Sequence, residues 1–356
     1  MSSLEDRPER QYQSGSSGIW LIGWKRLKQD RIAVVSLLIV ALFMFVIVLS
    51  ALGLIANKWD DQVGVSYASP GFLGKVENTE ALSAEAALKE LAVPKDAQIV
   101  DLSSLDPLND VMPEVNARAK QLLLVDHVKT ETLPFGGDKW GRDIIAKTIK
   151  GAQSSVLVGF ASAFIAVFLG TLLGALAGYY GRWVNDLLEW VYNVFTSIPN
   201  LLLILAFAAV FNKRGLLTVI MILGVTGWTG VYRLIRAEYL KHVNREYVKA
   251  AEAIGASHFR RMFVHILPNV SHIVLVNLSL LVVGFIKAEV ILSYLGFGVP
   301  VDMTSWGTML QEAQNELVIG KWWQFAAAAF LSMAVLVTAF SLLTDALRDA
   351  LDPKIK

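Results

Sequence analysis

Long apolar runs alternate with polar stretches along this chain of 356 residues. Ile32 to Ala56 carries no charge, and neither does Gly151 to Gly181. About 20 apolar residues in a helix cross a hydrocarbon core about 30 Å thick. On that measure the pattern predicts six spans. They are Ile32–Ala56, one within Gly151–Gly181, Trp190–Phe211, Gly215–Tyr232, Asn269–Val290 and Trp322–Thr344. The expected fold is an all-α polytopic membrane protein. A transmembrane β-barrel would instead alternate in polarity over segments of about ten residues.

The polar stretches divide the chain further. Residues 1–31 form an N-terminal segment in which Trp20 and Trp24 face Lys25, Arg26, Lys28 and Arg31, a mixture that favours a membrane interface. The first span, 32–56, is too long for a signal-peptide core. Residues 57–150 are a hydrophilic insert with 11 Lys/Arg and 15 Asp/Glu. Within it Glu77 to Leu91 reads as a helix, Pro94 and Pro107 punctuate the stretch after that helix, and Lys139 to Ile149 reads as amphipathic helix. The insert is expected to be a small subdomain outside the membrane. Residues 151–347 hold the other five spans, 291–321 form a loop before the sixth, and 348–356 are a tail.

Details within the spans carry further expectations. Gly170, Gly174 and Gly178 line one helix face and let another helix of the same chain approach closely. Pro199 lies in the third span beside Thr196, Ser197 and Asn200. A kinked polar face lining a pathway and a plain helix start both fit that spacing. Ser197, Asn200, Asn277 and Ser279 are the candidate pathway residues. Lys287 and Glu289 sit near the end of the fifth span, where charged side chains can reach the interface.

Composition agrees with this class. Hydrophobic residues make up 54%, charged residues 18%, and mean hydropathy is +0.50. A soluble domain carries nearer a quarter charged residues. A net charge of +1 offers no basis for nucleic-acid binding, and the absence of cysteine excludes disulfides and thiol chemistry. With the long insert set aside, 17 Lys/Arg fall on the side of the termini and three on the other. The positive-inside rule then puts both termini in the cytoplasm and the insert outside. Arg142, Lys147 and Lys150 run against that rule.

Reactive motifs are missing. There is no G-x-x-x-x-G-K-[ST], no H-E-x-x-H and no G-x-S-x-G, so neither a catalytic nor a metal site is expected. His242, His258, His265 and His272 cluster in sequence without the spacing of a metal site. No span carries a central Asp or Glu for a proton relay.

One charged island stands out, Tyr239 to Pro268, YLKHVNREYVKAAEAIGASHFRRMFVHILP. Asn244 to Ile254 has helix-forming composition, and Gly255 breaks it with a residue free to take φ > 0. Ser257 offers an N-cap for a second short helix, and Pro268 suits the entrance to the fifth span. The expectation is helix, Gly turn, helix on the cytoplasmic face. An interfacial connector and a docking element for a partner both fit.

The residues YVKAAEAIGAS followed by HILPN resemble the E-A-A–x3–G loop of ABC importer permeases. Lys249 stands where that family has Glu, and His265 where it has Ile. FGGDKWGRDIIAKTIKGAQSSVLVG, GYYGRWVNDLLEWVYNVFTSIPNLLLIL, EVILSYLGFGVPVDMTSWGTML and LRDALDP resemble the dipeptide/oligopeptide branch, the C-type subunit above all. The resemblance covers residues 20–56 loosely and 133–353 densely. It implies a type I ABC importer transmembrane domain with six helices in a bacterial inner membrane. It implies a peptide substrate, with a nickel chelate or glutathione as alternatives. A homologous second permease subunit, two cytoplasmic ATP-binding subunits carrying ATP and Mg, and an extracytoplasmic solute-binding protein are the implied partners. Glu246, Tyr247, Ala250, Ala251, Gly255, Ala256, Leu267 and Pro268 are the implied contacts to the ATPase subunit. The rival readings are a secondary transporter, which needs no ATPase, and a membrane scaffold, which needs no coupling loop.

Overall fold

A computed structural model of the chain describes residues 24, 26–74, 111–123, 129–211, 215–300 and 302–351. It is mainly helical. Among the described residues, five helical runs are long and apolar enough to cross a membrane: Arg31–Ala51, Ile144–Tyr180, Leu216–His242, His258–Tyr294 and Trp323–Ala350. A sixth is available if the bent pair Arg182–Thr196 and Asn200–Phe211 counts as one span. Contacts group the described residues into two units, one drawn from 1–46, 154–303 and 333–356, the other from 47–153 and 304–332.

The larger unit is an assembly of helices. Helix α1, Arg31–Ala51, begins in it. It stops five residues short of the expected Ala56, in a left-handed turn at Gly53 (φ 72°), where Gly53 N–H donates to Ser50 and Leu54 N–H to Leu49. Leu27, just ahead of α1, packs with Ala33 against Ala350 near the end of the last helix. Trp24 takes the Lys28 ammonium over its ring at 5.2 Å. Trp20 and Lys25 lie outside the described residues.

A long helix that enters this unit at Ser154 carries the glycine stripe. Helix α2, Ile144–Tyr180, is 37 residues long, about 56 Å. Gly170, Gly174 and Gly178 place its backbone against Trp228, Tyr232 and Arg236. A Cβ on Gly178 would stand 2.7 Å from the Arg236 carbonyl oxygen, so only glycine permits this approach. The small-residue stripe therefore serves packing within the chain, as expected. Helix α3, Arg182–Thr196, buries no residue fully, although Leu188, Val191, Tyr192 and Phe195 pack on Ala177, Trp228 and Tyr232. Arg236 ties it down, with Nε 2.6 Å from Asn185 Oδ1 and 3.1 Å from Glu189 Oε1.

The expected third span, Trp190–Phe211, is not one helix. Helix α4, Asn200–Phe211, leaves α3 at 88°. Pro199 disfavours helical geometry at Ile198 and cannot donate to the preceding turn. The loose carbonyls at the end of α3 are taken instead by Thr196 Oγ1 and Ser197 Oγ, while Pro199 O accepts from Leu203 to begin α4. Of the two readings of Pro199, the helix start is the one realised.

The fourth span is also longer than expected. Helices α5, Leu216–Thr226, and α6, Thr229–His242, run on past Tyr232, so the first four residues of the charged island belong to them. The final helix is α-helical over Trp323–Phe325, π-helical over Ala326–Ala334 and α-helical again over Val335–Leu351.

The smaller unit contains structure that the apolar pattern did not predict. Strands β1, Gly64–Pro70, and β2, Thr130–Leu133, pair in parallel. The expected helix from Lys139 begins only at Ile144, because Asp138 organises a turn ahead of it. Its Oδ1 accepts from the N–H groups of Trp140 (2.9 Å) and Arg142 (3.0 Å). Asp143 Oδ1 then caps the helix through Ile145 N–H. A helix also occupies part of the expected 291–321 loop, from Trp306 to Val318, opened by a capping box in which Ser305 and Thr308 bond reciprocally. A short helix, Met112–Leu123, carries the Arg118–Glu114 pair. Glu77–Leu91, Pro94 and Pro107 lie outside the described residues.

Candidate coupling surface

The island folds into a short helix, a glycine turn and the start of a long helix. Helix α7, Glu246–Ala253, succeeds an extended Arg245. Val248 and Ala251, three apart, face inward, and Val248 joins Val231, Ile235, Tyr239, Met262 and Ile266 in one core. Gly255 ends α7 at φ 83°. Its N–H donates to Glu252 and that of Ala256 to Ala251, which makes a Schellman turn. A Cβ on Gly255 would meet nothing within 4 Å, so backbone conformation rather than space requires the glycine.

The segment after the turn differs from the expected second short helix. Ser257 Oγ does accept from Arg260 N–H at 3.3 Å, as an N-cap should. The helix it opens, α8, then runs unbroken from His258 to Tyr294. Arg261–Ile266 is π-helical, with Leu267 N–H reaching back to Met262 O. Pro268 has no N–H for the ordinary ladder, and the wider turn just ahead of it accommodates that loss. Near the far end of α8, Lys287 is exposed but Glu289 is fully buried and accepts from Ser293 Oγ at 2.6 Å. The expectation that both reach an interface therefore fails for Glu289, whose carboxyl is turned inward to the Ser293 hydroxyl.

Polar contacts tie the turn to the helices behind it. Arg261 is buried, with Nη1 2.7 Å from Glu252 Oε1 and Nη2 3.0 Å from His258 Nδ1. Its guanidinium lies over the Tyr179 ring at 5.8 Å, and Tyr179 Oη is 3.0 Å from His258 Nδ1. Tyr239 Oη donates to the Met262 carbonyl at 3.1 Å. His242 Nδ1 meets Tyr247 Oη at 2.8 Å.

The outward face is polar with two apolar projections. Glu246, Tyr247, Ala250, Gly255 and Pro268 are exposed, Ala256 and Leu267 are partly covered, and Ala251 faces the core. Ile254 is 85% exposed and Phe259 70%, one on each side of the Gly255 turn. Sequence reasoning missed both, along with Arg261. Two large apolar residues flanking a glycine in a polar stretch were the available signal. The candidate pathway residues mostly bond their own helices: Ser197 Oγ to Val194 O, Asn277 Nδ2 to Ile273 O and Ser279 Oγ to Leu275 O. Asn200 is exposed at the start of α4.

A helix–turn–helix fixed from behind and bare in front, between two long apolar helices, narrows the comparison with known proteins. The family described as "Binding-protein-dependent transport system inner membrane component" matches residues 170–356, the whole of this surface included. The chain belongs to that family. This permease is 35% identical to the oligopeptide transport system permease protein OppC of Bacillus subtilis (strain 168), over 66% of its own length and 76% of that protein. It is 37% identical to the dipeptide transport system permease protein DppC of the same organism, over 62% and 69%. It is 34% identical to the glutathione transport system permease protein GsiD of Pectobacterium atrosepticum, over 62% and 73%.

Proposed function

We propose that this permease imports peptides delivered by a solute-binding protein, powered by ATP hydrolysis on partner subunits that dock at Glu246–Phe259. The observation that carries the reading is the pairing of Ile254 and Phe259, exposed across a turn that Arg261 and Tyr239 hold in place. A large exposed apolar pair on a rigid support marks an interaction site. Two ATPase subunits with ATP and Mg, a homologous second permease chain and an extracytoplasmic binding protein complete the assembly. The 17-to-3 division of Lys/Arg supports a cytoplasmic position for the turn and both termini. Docking can shift the transport cycle only if the ATPase binds the turn differently in its two states.

The oligopeptide and dipeptide relatives support a peptide substrate. The glutathione relative favours a second reading, a γ-linked tripeptide. Gly255→Asp in the assembled importer is the decisive variant. A side chain at φ 83° is strained, and a carboxylate there alters the docking face. Uptake and substrate-stimulated ATP hydrolysis are both expected to fall at least about tenfold, a loss of roughly 1.4 kcal/mol of coupling. Unchanged uptake would reject the docking assignment.

A further inference from the structure

The smaller unit holds a largely buried charged cluster. Lys147 of α2 is 2% exposed. Its ammonium donates to Asp138 Oδ2 at 2.7 Å, Glu312 Oε2 at 2.5 Å and Gln324 Oε1 at 3.3 Å. All three ammonium protons are thus engaged. Gln324 Nε2 in turn donates to Met309 O and Glu312 Oε2.

Glu316 lies one turn beyond Glu312 on the Trp306–Val318 helix, which we label α9, and is 1% exposed. Among the described residues neither of its carboxyl oxygens makes a hydrogen bond of normal geometry, although the Lys139 backbone N–H lies close enough to favour the ionised form. The ionisable groups acting on it are Lys147 from α2, Asp138 from the preceding turn, Glu312 from its own helix and Tyr67 from β1. Fully ionised, the cluster would hold three carboxylates against one ammonium that is already committed. An unpaired buried carboxylate is costly, and taking up a proton is the cheaper state. Burial pushes the Glu316 carboxyl up to about 7; Lys147 opposes the shift, and Asp138 and Glu312 add to it.

We infer that Glu316 is a proton-binding site whose proton keeps α9 seated on the Asp138–Lys147 segment. The folded chain binds this proton up to about pH 7, while an exposed Glu releases it near 4.5. Stability from the site is therefore complete below about pH 4.5, falls as the pH rises to about 7, and is level above that.

Thermal unfolding of the full chain in lipid nanodiscs from pH 5 to pH 8.5 tests the site. The wild type is expected to lose several degrees of Tm across that interval. Glu316→Gln, which keeps the shape without the charge, removes most of the loss and unfolds above the wild type at pH 8. Glu312→Gln keeps the pH-dependent loss. An unchanged pH slope in Glu316→Gln overturns the assignment. Hydrogen exchange over residues 306–318 of the wild type gives a test that needs no variant. Protection, corrected for intrinsic exchange, should drop between pH 6 and pH 8, and constant protection overturns the proposal.

Discussion

Arg261 and Lys147 are both buried cations with carboxylate partners, yet their surroundings are opposite. Lys147 is enclosed. Asp138 is fully buried, and Asp138, Glu312 and Gln324 consume the ammonium's protons. Arg261 opens outward. Its partner Glu252 is 63% exposed, and its own Nε is buried without a hydrogen bond among the described residues. The first arrangement closes a structure on itself. The second leaves one end of an ion pair on the surface, where a docked protein can compete for it. Burial of a basic group therefore says little about its role until the exposure of its partner is known.

The contrast can be broken first at Lys147. Lys147→Met strands Asp138 in a buried site, and the expected loss is about 3–5 kcal/mol. Thermal unfolding of the purified chain measures it; a loss under about 1 kcal/mol would mean that Asp138 is not truly enclosed. Arg261→Met frees a surface carboxylate instead, so its cost should be smaller, about 1–2 kcal/mol. Its larger effect should fall on uptake by the assembled importer, which separates a coupling role from a structural one. Ser257→Ala removes the N-cap of α8 and is expected to cost about 1 kcal/mol or less of stability, read by thermal unfolding.

Local signals were legible where a single residue type has a single geometric use. Gly255 could be read as a left-handed helix end, Ser257 as an N-cap, and Gly170, Gly174 and Gly178 as a packing stripe. Long apolar runs located the membrane helices for the same reason. Ends and bends were less legible. Pro199 serves equally in a kink and in a new helix, and the 88° break depends on what α3 packs against. Glu289 could not be placed by counting along the chain, because its burial comes from the fold around α8. The helix at Trp306–Val318 was hidden by its polar residues. Trp306, Met309, Ala313 and Glu316 are among its inward positions, and one of those four is a carboxylate. The parallel strands are short, and β2, Thr130–Leu133, has no apolar alternation to announce it.

The glycine stripe on α2 has a mechanical consequence. Interlocked side chains can yield by changing rotamer, like a joint with play. At Gly170, Gly174 and Gly178 the α2 backbone rests directly on α6 and the residue before it, and backbone cannot give way in that manner. Tyr239 continues the contact, meeting Gly178 through its Cβ and the Met262 carbonyl through its hydroxyl. The two helices are thus clamped backbone to backbone, and Tyr239 ties them to the helix that follows the Gly255 turn.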